Sequence, residues 1–150
     1  MAEGLIRSSL SDARNWALSG SLWGFPLGIS CCQLELDSAA GPRFDVERFG
    51  IQWRGIPAEA DLLIVAGPVN HQLKEELRRT YDEMKHPKYV IAMGSCASTG
   101  GMFSPGDEVC AGIEGVVPVD IFIPGCPPRP ESVIHALLRL QEKIRCDVKI

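Results

Sequence analysis

Two cysteines stand side by side in Ser30-Cys31-Cys32-Gln33, and six occur in the 150-residue chain. Four of the six follow short apolar runs. Cys31 and Cys32 come after Trp23 to Ile29, Cys96 after Tyr89 to Met93 by way of Gly94-Ser95, and Cys126 after Val119 to Ile123 by way of Pro124-Gly125. If these runs are parallel strands of an open sheet, their carboxyl ends lie on one edge, where ligands bind at a topological switch point. Cysteines far apart in sequence would then converge. Four thiolates form a soft, all-sulfur donor set that selects zinc or an iron–sulfur cluster over hard cations.

Structural zinc usually draws its ligands in C-x₂-C pairs, because one tight turn offers two sulfurs to a single ion. The chain has no such pair. Successive side chains of an extended strand point to opposite faces, so Cys31 and Cys32 share a site only if the backbone turns sharply between them. A cubane relaxes this demand, since each thiolate takes its own iron over a broader site, and this favours a [4Fe–4S] cluster. A disulfide between adjacent cysteines would be strained and ranks below ligation. Taken singly, Cys96 or Cys126 would pass for a small buried hydrophobe; their shared placement after strands argues for ligation. Cys110 lies in a loop and Cys146 at the end of a helix, so both are expected to be structural or incidental thiols.

Gly94, Gly100, Gly101 and Gly125 permit close backbone approach to a bulky group, while Pro124, Pro127 and Pro128 stiffen the turn before the last helix. Each is also an ordinary loop residue. Other chemistries lack their signatures: the chain has neither G-x-G-x-x-G nor G-x-x-x-x-G-K-[ST]. The glycine-rich stretch 94–101 lacks the lysine of a phosphate loop. A Cys–His nucleophile would depend on His71, which reads better as a loop residue, with His86 and His135 on helix ends or faces.

The elements that must position the cysteines follow from periodicity. Leu62 to Ala66, Tyr89 to Met93 and Val119 to Ile123 read as buried strands, and Trp23 to Ile29 as a weaker one. Gln72 to Met84 and Glu131 to Ile144 have helical spacing, with Pro130 suited to a first helical turn. Leu5 to Leu18 carries Leu5, Ile6, Leu10, Ala13 and Ala17 on one stripe, which suggests an amphipathic helix ending near Gly20. Its ordinary role is packing, with docking on a partner or a membrane surface as the other use. Strands alternating with helices imply an α/β fold with a mostly parallel sheet. We divide the chain into residues 1–20, an arm contacting partners, and residues 21–150, a single domain.

Composition narrows the partners. The net charge is −4 with mixed signs, so there is no basic stripe for a nucleic-acid backbone. The start of the sequence has no signal-peptide core, and no apolar run approaches the ~20 residues that span a bilayer. Reduced cysteines are therefore expected, as ligands or catalytic thiols.

These residues resemble one family over nearly the whole chain from Leu22. Ser21-Leu22-Trp23, Gly28-Ile29-Ser30-Cys31-Cys32-Gln33-Leu34-Glu35, Gly41-Pro42-Arg43-Phe44-Asp45 and Arg48-Phe49-Gly50 are similar to the 20 kDa or PSST-type subunit of respiratory complex I and its membrane-bound hydrogenase relatives. So are residues 60–67, Met93-Gly94-Ser95-Cys96-Ala97 and the stretch from Val117 to Glu131. The resemblance implies a flavodoxin-like domain carrying the final [4Fe–4S] cluster of an electron wire, with Cys31, Cys32, Cys96 and Cys126 as ligands. It implies a large catalytic-type subunit, a ferredoxin-like iron–sulfur subunit, membrane subunits and quinone as partners, at the cytoplasmic face of the membrane. Tandem Cys-Cys resembles the complex I form, whereas hydrogenase small subunits usually carry C-x-x-C. Ala58-Glu59 replaces the Arg-Gln typical of the complex I subunit, and Phe103-Ser104-Pro105-Gly106 an often aromatic-rich stretch, so protons or sulfur species stand beside quinone as acceptors. The alternatives are a group 4 NiFe hydrogenase small subunit and, in another class, a metal-stabilised module without redox turnover. Arg43, Arg54 and Arg129 are candidate cations beside the cluster, and Glu35 and Asp45 candidates for proton coupling or subunit contact.

Overall fold

A computed structural model describes residues 2–104 and 108–146, with side chains from residue 10 onward. The side chains of Leu5 and Ile6, and Pro105 and Gly106, lie outside the described residues. The elements run α1 (Ala2–Gly20), β1 (Leu22–Gly28), α2 (Cys31–Ala40), β2 (Ile51–Trp53), β3 (Leu62–Ala66), α3 (His71–Glu83), β4 (Tyr89–Met93), α4 (Gly94–Thr99), β5 (Ile121–Ile123) and α5 (Pro130–Cys146).

The five strands form one sheet in the order β2-β1-β3-β4-β5, every pair parallel. This is the flavodoxin-like order, with the switch point between β1 and β3. The alternation of side chains across the pleat makes two cores. Leu62, Ile64 and Ala66 of β3 and Tyr89, Ile91 and Met93 of β4 face α2 and α5, meeting Leu36, Val133, Leu137 and Leu140. Leu63, Val65, Val90 and Ala92 face the other way, with Leu77 of α3 and Ile113. The central strands are buried at every position.

Local chemistry sets the helix ends. Asn70 caps α3 by accepting from the backbone N–H of Leu73 at 2.7 Å. Pro130 opens α5 with Glu131 in its first turn, and Lys143 and Arg145 close it, each on the side the helix dipole favours. The run expected to start at Val119 becomes a ladder only at Ile121. Before it, Asp120 pairs with Val90 through its own N–H (2.9 Å) and through its carboxylate, which accepts from the Val90 N–H at 3.0 Å. Three elements, α2, β2 and α4, have no counterpart among those expected from periodicity.

The N-terminal helix packs on the domain, but through a largely polar face. Its polar residues Asn15 and Ser19 are buried, and α1 packs on α5. Arg145 of α5 donates to the Ser19 hydroxyl at 3.0 Å. Leu10 and Trp16 are 65% and 72% exposed, and Ala13 and Ala17 are exposed with them. The described part of the apolar stripe, Leu10, Ala13 and Ala17, thus points away from the domain.

At the opposite end of the sheet from the cysteines, a hollow is lined by Arg14, Trp23, Arg54, Glu59, Asp61 and Lys85. Burial pushes the Asp61 carboxyl pKa up, against the Trp23 backbone N–H, which lowers it. A raised carboxyl favours folding while protonated, and that contribution is lost as pH rises through the carboxylate range. Asp61→Asn, which can still accept from Trp23, is therefore expected to raise the Tm of the purified chain at neutral pH, with the gain shrinking on acidification. Thermal melts across that range check it; a less stable variant at neutral pH contradicts it.

Candidate metal centre

The strand-end cysteines all reach the carboxyl edge of the sheet. β1 ends at Gly28 and its chain stays beside β3, the Ile29 N–H donating to the Ala66 carbonyl at 3.0 Å. There the backbone turns into α2, whose first two residues are Cys31 and Cys32. This resolves the problem of adjacent thiols. Successive residues at a helix start are separated by about 100° rather than the 180° of a strand, so both can serve one site. A serine followed three residues later by glutamine, Ser30 and Gln33, is the sequence signal for this helix start.

Cys96 lies in α4, which begins directly at the end of β4, and Cys126 follows β5 in the turn leading to α5. Gly94 joins these parts. Its φ is +87°, and a Cβ there would sit 2.6 Å from Cys32 Sγ, 3.5 Å from the Gly125 carbonyl oxygen and 3.6 Å from Pro128 Cδ. Only a residue without a side chain lets the three segments meet. Ser95 ties the α4 start to the Cys126 turn, its N–H and hydroxyl both donating to the Gly125 carbonyl at 2.8 and 3.0 Å. Ser95 carries no signal in the sequence, since nothing local marks its partner thirty residues away. Gly101 borders Cys96, where a Cβ would lie 3.1 Å from its Sγ.

All six cysteines are free thiols; Cys32 and Cys96 are buried, and Cys31 and Cys126 exposed. The site therefore has an inner side in the top of the core and an outer rim at the surface. Burial, followed by the charge of Cys31 and more weakly of Cys96 and Cys126, pushes the Cys32 thiol up to about 12. The Cys96 thiol is raised by burial, then by Cys126 and Cys31. The thiols are close enough to feel one another. Among the described residues, no three His, Cys, Asp or Glu side chains are placed to hold a metal ion. A single zinc requires four sulfurs about 2.3 Å from one point, whereas a cubane accepts a wider set.

The remaining candidates divide. Cys110, in the loop after α4, donates its N–H to the Val69 carbonyl, and Cys146 ends α5. Arg54 is not beside the cysteines: its guanidinium stacks 4.0 Å from the Trp23 ring in the hollow at the other end of the sheet. The reason is the unforeseen strand β2, which ends at Trp53 opposite Gly24, early in β1. Arg43 is exposed with its guanidinium 5.4 Å from the Phe44 ring. Arg129 is exposed three residues beyond Cys126, and its carbonyl receives the Ser132 N–H. Glu35 is half-buried on α2, and Asp45 is exposed in the left-handed region at φ 46°. His71 opens α3.

The model of the family described as NADH ubiquinone oxidoreductase, 20 Kd subunit, matches residues 30–140, from the residue before the paired cysteines well into α5. The chain belongs to that family. The B-type subunit of the NADH-quinone oxidoreductase of Mycobacterium sp. (strain JLS) is 48% identical over 143 residues, 95% of this chain and 77% of that protein. Its counterpart in Mycolicibacterium smegmatis has the same identity and coverage. A chain in the structure of the membrane-bound sulfane sulfur reductase, an archaeal respiratory membrane complex, superposes with a TM-score of 0.86 at 34% identity, covering 91% of this chain and 77% of that one. As a member of the 20 kDa subunit family, the protein is a subunit of a complex I-like oxidoreductase. Among the described residues, no helix of this 20 kDa-type subunit is long and apolar enough to cross a membrane.

Proposed function

We propose that Cys31, Cys32, Cys96 and Cys126 hold one [4Fe–4S] cluster, the last carrier before the acceptor, and that the subunit relays electrons singly to that acceptor at its interface with a large subunit. The supporting observation is that three sheet connections bring Cys31, Cys96 and Cys126 near enough to Cys32 for their charges to act on it, with Gly94 set against the Cys32 sulfur. When bound, the cluster supplies a one-electron store whose charge is spread over iron and sulfide.

The chain's own residues do the rest. Cys32 and Cys96 anchor the inner side, and Cys31 and Cys126 the rim. The Cys32 and Cys96 thiols, raised by burial and by their neighbours' charge, become stable as thiolates once cationic iron neutralises them. The positive end of the α2 dipole faces the same anionic centre. Around the rim, Ile29 and Leu34 flank Cys31, and Met102 and Phe103 follow Gly101; all four are exposed. Such an apolar border suits a protein partner, here the large subunit.

The acceptor is set by that partner. The relatives named NADH-quinone oxidoreductase point to quinone, and the archaeal complex to sulfane sulfur. A ferredoxin-like subunit supplies the electron. Residues 1–20 form the arm toward membrane subunits at the cytoplasmic face, supported by the outward stripe of Leu10, Ala13, Trp16 and Ala17. Trp16→Glu is then expected to release the subunit from the membrane fraction while its iron content stays whole; unchanged membrane association contradicts the arm's role. The cluster itself is tested by anaerobic isolation with iron and sulfide analysis. Four of each per chain are expected, and zinc or an absence of sulfide overturns the reading.

A further inference from the structure

Ser30 occupies the N-cap of α2, at φ −156° and ψ −159°. A serine there ordinarily turns its Oγ to accept a backbone N–H of the first turn, and Gln33 would complete a capping box by reaching back. Neither half forms. Ser30 makes no side-chain cap bond, and Gln33 sends its Nε2 forward to Asp37 Oδ1 at 2.6 Å. The Ser30 hydroxyl instead donates to Cys31 Sγ at 3.8 Å. Its backbone is held against the end of β3, where a Cβ on Gly67 would lie 3.1 Å from Ser30 Cβ and 3.2 Å from its nitrogen.

We propose that Ser30 is a positioning residue that raises the reduction potential of the cluster by donating its hydroxyl to the Cys31 sulfur. The inference rests on Cys31 being a ligand. Reduction adds one electron, and part of the added charge falls on the thiolate sulfurs; a donor aimed at one of them stabilises the reduced state more than the oxidised state. The ordinary use of an N-cap serine is given up for this contact.

The test compares Ser30→Gly, Ser30→Ala and Ser30→Thr in the assembled complex, by redox titration of the low-temperature spin-resonance signal with iron analysis alongside. Glycine caps a helix nearly as well as serine and alanine much worse, yet both lack the hydroxyl, while threonine keeps it. The expected result is a similar shift of the midpoint to lower potential in the glycine and alanine variants, wild-type potential in the threonine variant, and full iron in all three. A midpoint unmoved in the glycine variant with its iron intact overturns the proposal, as does a shift in the alanine variant alone, which would mark a capping role. Failure of the underlying reading looks different: Cys31→Ser would then leave cluster and potential unchanged.

Discussion

Cys32→Ser is expected to leave the complex without its terminal cluster, iron at this subunit falling from four atoms per chain to near zero. Cys32 is 2% exposed and lies among the core residues between α2 and the sheet, with Gly94 directly against its sulfur. A serine hydroxyl there is a harder and far less acidic donor than a thiol, and burial disfavours its charged form further. The fold should survive the change. An unpartnered buried hydroxyl costs about 1–3 kcal/mol, against the 5–15 kcal/mol typical of a domain. Cys110→Ser and Cys146→Ser, one in the loop after α4 and one at the end of α5, are expected to keep full iron. Iron and sulfide analysis of the three variants checks this, and an intact cluster without Cys32 would refute the paired ligands.

Gly94→Ala is the second large effect, although it removes no ligand. A left-handed backbone at φ +87° costs an alanine about 1–2 kcal/mol, which for a chain of this size is a fall in Tm of roughly 2–8 °C. The new methyl would also sit 2.6 Å from Cys32 Sγ, well inside van der Waals contact. Cys32 must therefore shift, and the expected outcome is loss of most of the cluster together with the fall in Tm. Gly115→Ala is the matched control, because a Cβ there meets nothing within 4 Å. Equal iron content in the two alanine variants would mean that the approach of Gly94 to the thiol is not needed for assembly.

Much of this site is legible in the sequence because its ligand candidates follow strands whose signals are strong. Leu62–Ala66 and Tyr89–Met93 are buried at every position and bounded by loops, so periodicity and flanking residues mark their limits correctly. The tandem cysteines are harder. Cys31 and Cys32 look like the end of a strand because the helix they begin, CCQLELDSAA, is only weakly amphipathic and buries just Cys32, Leu36 and Ala39. Strand β2 has three residues, too few for a period to register, and its position decides that Arg54 belongs to the far hollow. The α1 stripe is visible in sequence, but which side of it faces the domain is not. Periodicity reports that a helix has an apolar face, and only the buried Asn15 and Ser19 show that this face is turned outward.

The spacing of chemistry is thus more legible than its orientation. Gly94 and Gly125 can be singled out as glycines near cysteines, but the contacts that make them necessary, to Cys32 Sγ and to Pro128, exist only across the folded edge.

The central claim, that this subunit carries an electron on a cluster held by four cysteines, is tested most directly by low-temperature spin resonance of the anaerobically isolated complex during a stepwise redox titration. A paramagnetic [4Fe–4S] signal that appears on one-electron reduction, disappears on reoxidation and is absent from the Cys32→Ser complex is the predicted result. A metal centre that never changes oxidation state, or a cluster signal indifferent to Cys32, would contradict it.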